Sequence, residues 1–142
     1  ILLVTASGND GANLDVSPSY PSAFNLLNQI NVAASTTDDY MAYFSNRGYK
    51  SVHVAAPGVG IYSTIPGNKI ESMDGTSMAS PMTAGAAALL WSAFPAASAQ
   101  QIKQALLRGV DITAGHEFQD STRGRINVNK SYSVLKSMLG LN

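Results

Sequence analysis

The stretch Asp74-Gly75-Thr76-Ser77-Met78-Ala79-Ser80-Pro81 stands directly before the most apolar run of the chain. Its last two residues are typical of an N-cap and a first helical position, so we predict a helix over residues 82–94. Because this run is apolar on nearly every side, we expect the helix to be buried. The glycine at 75 favours a turn that brings the Ser77 hydroxyl near the positive end of the helix dipole. From its position alone, Ser77 either caps the helix or lies beside unpaired N–H groups that can stabilise an oxyanion.

Strands precede this stretch and further helices follow it. Apolar or alternating runs bounded by turn residues predict strands over residues 1–6, 29–34 and 52–56, and a hairpin from 61–64 and 70–73. A capping box at 98–101 opens a second helix that ends near Gly109, and a third helix is predicted over 128–139. This order predicts an α/β fold, a mostly parallel sheet flanked by helices. Ligands of such sheets bind beyond the carboxyl ends of the strands, which places Gly8 and Asn9 at the expected rim of the site.

Composition and charge exclude several classes of function. The chain has nine basic and nine acidic residues and no basic cluster, so neither nucleic acid nor an anionic membrane is expected as a partner. No apolar run approaches the length of a membrane span. The absence of cysteine excludes disulfides, thiol catalysis and cysteine-based zinc sites.

Two apolar segments carry expectations about burial. Residues 1–6 (Ile-Leu-Leu-Val-Thr-Ala) are typical of a strand buried on both faces inside a parallel sheet, with neighbours on both sides. We therefore expect the chain to be a fragment or a processed product, with the rest of the sheet supplied by an upstream part. Gly85, inside the predicted buried helix, indicates close packing against a neighbouring backbone.

The chain resembles the subtilisin-like serine proteases, the subtilase family. The segment Gly75-Thr76-Ser77-Met78-Ala79-Ser80-Pro81 matches the nucleophile motif of that family nearly letter for letter. Further similar segments follow in the family's order and cover the whole chain: Ala6-Ser7-Gly8-Asn9, Tyr20-Pro21 (a turn that often holds a cis-proline), Phe44-Ser45-Asn46, Ala55-Ala56-Pro57-Gly58 and Gly124-Arg125-Ile126-Asn127-Val128. The resemblance implies that residues 1–142 are the C-terminal half of one subtilisin-like catalytic domain.

The resemblance also implies roles for individual residues. Ser77 would be the nucleophile of an endopeptidase, and the side-chain amide of Asn9, with the Ser77 N–H, would stabilise the tetrahedral oxyanion. Six residues would contact the substrate: Thr76 at the oxyanion pocket, Ala6, Ser7 and Gly8 as one wall of the S1 pocket, and Met73 and Asp74 on the leaving-group side. Two positions depart from the family pattern. Met82 stands where a histidine is usual, and Ser19 stands where glycine is frequent.

The catalytic base and its orienting acid are not found in the sequence. Subtilisins carry their triad in the order Asp, His, Ser, so both are expected upstream of Asn9, on the N-terminal half of the domain. His53 is interpreted as a buried structural residue of an apolar strand, and His116 as a loop residue. Asp74 is too close in the chain to Ser77 to orient an imidazole across the site.

Two alternatives to an active protease remain at this stage. One is a catalytically dead subtilisin-like module used for binding or regulation, which the upstream sequence would distinguish. The other is an α/β-hydrolase esterase, which the motif disfavours because residues 75–79 do not have the Gly-x-Ser-x-Gly pattern. The chemistry requires no cofactor. The resemblance implies structural calcium, although Asp10, Asn13 and Asp15 are better explained as a solvated turn. It also implies a polypeptide substrate, an inhibitory propeptide as partner, and a secreted or extracellular location.

Overall fold

A computed structural model describes residues 1–116 and 119–141. It contains seven strands and three α-helices within that part of the chain. Their bounds are β1 Leu3–Ala6, β2 Gln29–Ser35, β3 Val54–Pro57, β4 Ile61–Ile65, β5 Lys69–Met73, α1 Thr76–Ala93, α2 Ala99–Arg108, β6 Asp111–Ile112, β7 Gly124–Arg125 and α3 Val128–Met138. Short 3-10 turns cover Ser22–Phe24 and Ala114–His116. No helix of the described residues has the length and hydropathy needed to cross a bilayer.

Five strands form one sheet in the order β1-β2-β3-β7-β6. The first four run parallel, and only β6 pairs antiparallel with β7. The hairpin β4–β5 forms a separate two-stranded sheet, with Ile61 opposite Met73. The predicted α/β class and the predicted hairpin are therefore confirmed. Because β1, β2 and β3 are parallel, their carboxyl ends meet at one edge, where the chain after β1 lies close to the start of α1.

One face of the sheet forms the main core with the three helices. Ile30, Val32 and Ala34 alternate along β2 toward this face, together with Val54 of β3. Leu90 of α1 is buried against the same cluster. The alternation predicted for β2 is confirmed, and β3 begins two residues later than predicted. α1 packs directly on β1, β2 and β3, so the sheet fixes the position of its N-terminal turn.

The helix α1 begins five residues earlier than predicted, with Thr76 instead of Pro81 as its first residue. Its N-cap is Gly75, whose carbonyl accepts hydrogen bonds from Met78 N (3.0 Å) and Ala79 N (3.4 Å). Pro81 consequently lies inside the helix, where its ring removes a single main-chain hydrogen bond. The prediction of an N-terminus at Ser80 is wrong, because the first helical hydrogen bonds are accepted by Gly75, five residues before Ser80. Ser77 is therefore a residue of the first helical turn.

The all-round burial expected for α1 and the close packing expected at Gly85 are wrong for the residues described. The expectation for β1 stays a prediction: β1 pairs with β2 alone and has one free edge, so Leu3 is exposed, as it would be without an upstream part of the sheet. On the outer face of α1, Met82 is 43% exposed and Leu89 60% exposed. A side chain added at Gly85 would meet no atom within 4 Å. The described part of the chain therefore leaves Met82 and Leu89 uncovered on this side of the helix.

The last two helices agree closely with the sequence patterns. Ser98 and Gln101 form the predicted capping box of α2, and Asn127 caps α3 by accepting from Lys130 N. Gly109 ends α2 as predicted but with φ −91°, outside the left-handed region. It is small for a different reason: a Cβ there would lie 2.4 Å from Ser131 N of α3. The glycine lets the two helices approach each other.

His53 is buried on β3's amino side, as predicted, and its ring hydrogen bonds define one tautomer. Its Nδ1 accepts from Asn31 N (2.9 Å), so the proton is on Nε2, which donates to Asn25 Oδ1 (3.0 Å). Burial, with a smaller contribution from the charge of Lys103, lowers the pKa of His53 from 6.5 to about 4. The folded protein therefore keeps this imidazole neutral.

The lowered pKa of His53 makes the free energy of unfolding depend on pH between about 6.5 and 4. In that window the unfolded chain binds a proton at His53 and the folded chain does not, so the free energy of unfolding falls as the pH drops. The full effect is roughly 3 kcal/mol. His53→Gln, whose amide oxygen can still accept from Asn31 N, should have a flatter dependence in urea denaturation of the intact protein from pH 7 to 4. Parallel curves for parent and variant would contradict the assignment.

Candidate active site

The Ser77 hydroxyl lies in the first turn of α1, exposed at the carboxyl edge of the sheet. The chain reaches it from β5 through Asp74 and Gly75. Gly75 N donates to Gly58 O (2.7 Å), and Asp74 Oδ1 accepts from Gly60 N (2.7 Å). These two contacts tie the segment before Ser77 to the turn that follows β3. A Cβ on Gly58 would lie 2.6 Å from Ala34 Cβ and 2.8 Å from Gly75 O, so only glycine permits this approach.

Asn9 reaches the start of α1 from the opposite side, just after β1. Its Oδ1 accepts two hydrogen bonds from Thr76, one from the main-chain N (3.0 Å) and one from Oγ1 (2.8 Å). Thr76 Oγ1 in turn accepts from Gly8 N (3.1 Å). Because both donors on Thr76 require an acceptor, the oxygen of the Asn9 amide must face them and the NH₂ group must point away. Among the described residues Asn9 Nδ2 has no hydrogen-bond partner.

Two free N–H donors converge on the small space above Gly75. A methyl group built on Gly75 would lie 3.4 Å from Asn9 Nδ2 and 3.6 Å from Ser77 N. The Ser77 N–H has no acceptor in the described part of the chain, as expected in the first turn of a helix. The positive end of the helix dipole adds to their field. A pair of convergent, unpaired donors at this position is suited to a negatively charged oxygen.

The other residues predicted to contact a substrate lie on the two sides of Ser77. Ala6, Ser7 and Gly8 continue β1 on the Asn9 side, while Met73 and Asp74 end the hairpin on the other side. The Ser7 side chain is buried and donates to Asn46 O (3.1 Å), so Ser7 has only main-chain atoms to offer a pocket wall. Met73 is exposed, whereas the Asp74 carboxylate is engaged with Gly60 N.

A cavity of about 460 Å³ opens beside Ser77, between the hairpin and the outer face of α1. Its lining includes Tyr62 of β4 and Met78, Met82 and Gly85 of α1. None of its lining residues is a histidine or a carboxylate. The described residues therefore offer no general base on this side of the nucleophile candidate.

The two histidines of the chain lie in other hydrogen-bond networks. His53 is bound to Asn31 and Asn25, as described above. His116 Nδ1 is 3.1 Å from Asp120 Oδ2, and both side chains are fully buried. Asp120 also accepts from Thr122, which leaves the pair as an internal structural element. Within residues 1–116 and 119–141, neither histidine forms a hydrogen bond with Ser77.

The structural calcium that the family resemblance implies stays a prediction. No group of three His, Asp or Glu side chains in this part of the chain could hold a metal ion. The carboxylate of Asp15 instead accepts from Lys50 N, Ser51 N and Ser51 Oγ, and these hydrogen bonds outweigh burial in lowering its pKa. Asn13 Oδ1 accepts from Asp15 N, as in a local turn.

Of two further features, the sequence indicated the cis peptide bond before Pro21 but not the structural importance of Asn46. The peptide bond between Tyr20 and Pro21 is cis, as the resemblance suggested. Asn46, by contrast, belongs to a segment similar to the family's but has no role that the sequence indicates, yet it is buried directly beneath the Asn9 loop. The sequence around Asn46 has no local pattern that would distinguish a buried asparagine bound to a neighbouring loop from an ordinary turn residue.

Comparison with known proteins places the chain in a family. The model of the subtilase family, Peptidase_S8, matches residues 1–133. The chain belongs to the subtilase family. Among curated relatives, Subtilisin-like protease 2 of Plasmodium falciparum is 45% identical over 91 residues, 64% of this chain and 7% of the relative. Subtilisin DY of Bacillus licheniformis is 42% identical over 107 residues, 75% of this chain and 38% of the relative.

Solved structures agree in fold over nearly the whole chain. A chain of the subtilase cytotoxin SubAB has a TM-score of 0.83 and 26% identity, covering 96% of this chain and 49% of its own length. The prenylagaramide maturation protease PagA has a TM-score of 0.81 and 28% identity, with coverage of 96% and 51%. The chain thus spans about half the length of these solved relatives.

Proposed function

We propose that this chain carries the nucleophile and the oxyanion-binding groups of a serine endopeptidase. The observation that carries the proposal is the exposed Ser77 hydroxyl beside a space that both Asn9 Nδ2 and Ser77 N face. Membership of the subtilase family, with relatives named as proteases, supports the same reaction class. The substrate is a polypeptide.

The proposed reaction proceeds through an acyl-enzyme. Ser77 Oγ attacks the scissile carbonyl carbon, the C=O π electrons move to oxygen, and the hydroxyl proton passes to a base. The developing oxyanion takes hydrogen bonds from Asn9 Nδ2 and Ser77 N. Thr76 contributes by occupying Asn9 Oδ1 with two donors, which prevents the amide from turning its oxygen toward the anion. Collapse of the tetrahedral intermediate expels the amine, which takes the proton, and water then hydrolyses the ester.

The base and its orienting carboxylate are proposed to come from the N-terminal half of the same domain, joined or separate. Three features of the described structure support this. β1 has a free hydrogen-bonding edge, the outer face of α1 is apolar and exposed, and the cavity beside Ser77 has room for an imidazole. An upstream strand and helix covering these surfaces would bury Leu3, Met82 and Leu89 together.

The remaining assignments concern the substrate and the setting. Ala6, Ser7 and Gly8 are proposed to form one wall of the S1 pocket, and Met73 and Asp74 to contact the leaving-group side. Neither acylation nor deacylation requires a cofactor, because a hydroxyl, a base and two N–H donors are sufficient for both steps. We further propose a secreted or extracellular enzyme regulated by an inhibitory propeptide, as the family membership suggests.

Ser77→Ala in the intact protein should abolish labelling by a fluorophosphonate probe while leaving the urea unfolding midpoint nearly unchanged, because one exposed hydroxyl is lost. Peptide mapping of the labelled parent should place the phosphonate on Ser77. Ser80→Ala, in the next helical turn, is the matched control and should label normally. A label on another serine, or label retained in Ser77→Ala, would show that the nucleophile is elsewhere. An unlabelled parent would instead favour the binding-module alternative.

Asn9→Leu should lower kcat by about 10²–10³-fold with little change in KM, because its amide binds the oxyanion and not the ground-state carbonyl. Removal of one oxyanion-hole donor from subtilisin has an effect of this size. Steady-state hydrolysis of a peptide anilide measures both constants. An unchanged kcat would reduce Asn9 to a structural residue of the turn.

Peroxide should inactivate the enzyme through Met78, whose Sδ lies 3.5 Å from the position of a methyl group on Gly75. A sulfoxide oxygen there would bring a polar group into the space above Gly75. Met78→Leu should resist peroxide, while Met82→Leu, at the methionine one helical turn further on, should lose activity like the parent. Equal sensitivity of Met78→Leu and parent would assign the damage to another methionine.

A further inference from the structure

Asn46 binds the main chain on both sides of Asn9. Before Asn9, its Nδ2 donates to Ser7 O (2.9 Å) and its main-chain N donates to Gly8 O (2.9 Å). After Asn9, its Oδ1 accepts from Asp10 N (3.0 Å) and Ala12 N (2.9 Å). The Asn46 side chain is 1% exposed, so these bonds are sheltered from water.

Gly8 shows how closely the loop is fitted to this side chain. A Cβ on Gly8 would lie 2.5 Å from Asn46 Nδ2, and Gly8 has φ +103°, a conformation that side chains disfavour. Gly8 is also the residue whose N–H binds Thr76 Oγ1. The same short segment therefore contacts Asn46 below and Thr76 above.

We propose that Asn46 is a positioning residue for the oxyanion-binding amide. It holds residues 7–12 in the one arrangement that lets Asn9 Oδ1 reach Thr76 and leaves Asn9 Nδ2 facing the space above Gly75. The proposal rests on the proposed function, since it assigns Asn46 an effect on catalysis that passes entirely through Asn9. Asn46 itself makes no contact with substrate.

A purely structural role predicts a different pattern of kinetics. If Asn46 only stabilised the fold, its removal would lower the unfolding midpoint and leave kcat of the folded fraction unchanged. If it positions Asn9, kcat falls in the folded enzyme, and the loss disappears once the Asn9 amide is gone. A double-mutant cycle between the two positions separates these cases.

The experiment uses the intact protein with Asn46→Ala, Asn9→Ala and the double variant, assayed on a peptide anilide with active-site titration. Asn46→Ala should lower kcat roughly 10-fold with KM within about 2-fold, since the oxyanion is bound only in the transition state. Combined with Asn9→Ala, it should lower kcat by less than about 2-fold further. Asn13→Ala is the matched control, because its amide binds only Asp15 N in the same loop, and should leave kcat unchanged.

Equal losses in both backgrounds, or a raised KM at constant kcat, would overturn the proposal. If Asn46→Ala does not fold, Asn46→Asp replaces it, because the carboxylate keeps the acceptor for Asp10 N and Ala12 N but cannot donate to Ser7 O. If the parent itself is inactive, the proposed function fails, and the placement is read from crystal structures of parent and variant. There, loss of the contacts from Thr76 to Asn9 Oδ1 supports positioning, and their retention at about 3 Å overturns it.

Discussion

The double hydrogen bond from Thr76 to Asn9 Oδ1 is the contact on which the candidate site depends. It joins residues 67 positions apart, one at the end of β1 and the other at the start of α1. Each partner is held by its own element: α1 is packed on the sheet, and the Asn9 loop is braced by Asn46. The two donors above Gly75 are therefore arranged before any substrate arrives, which is the condition for electrostatic stabilisation without reorganisation.

The strands and the last two helices could be predicted because their signals are local. The capping box at Ser98 and Gln101 and the alternation along β2 need no knowledge of the rest of the chain. The start of α1 could not be predicted in the same way. Ser80-Pro81 is a strong local signal, but the helix begins at Gly75 because that residue is bound to Gly58 from another part of the chain.

Candidate site residues could be named from the sequence only where they belong to a recognisable motif. Ser77 and Asn9 stand in segments similar to those of subtilases, and the structure brings both to one small space. Asn46 lacked such a signal, since its role comes from four main-chain partners that only folding brings around it. The all-round burial expected for α1 failed for a related reason: apolar sequence indicates that a surface is to be covered, without saying by which part of a protein.

The hairpin β4–β5 has a consequence for how this site can diversify. All five residues of β5 are exposed, and the tip carries Gly67 and Asn68 with positive φ values, as in a tight two-strand turn. Only its base, through Asp74 and Gly60, is bound to the segment that holds Ser77. Extra residues at the tip would meet solvent and leave the packed core and the nucleophile in place. The length and sequence of the hairpin tip can therefore vary with little loss of folding stability, and such changes would alter which substrates can reach Ser77.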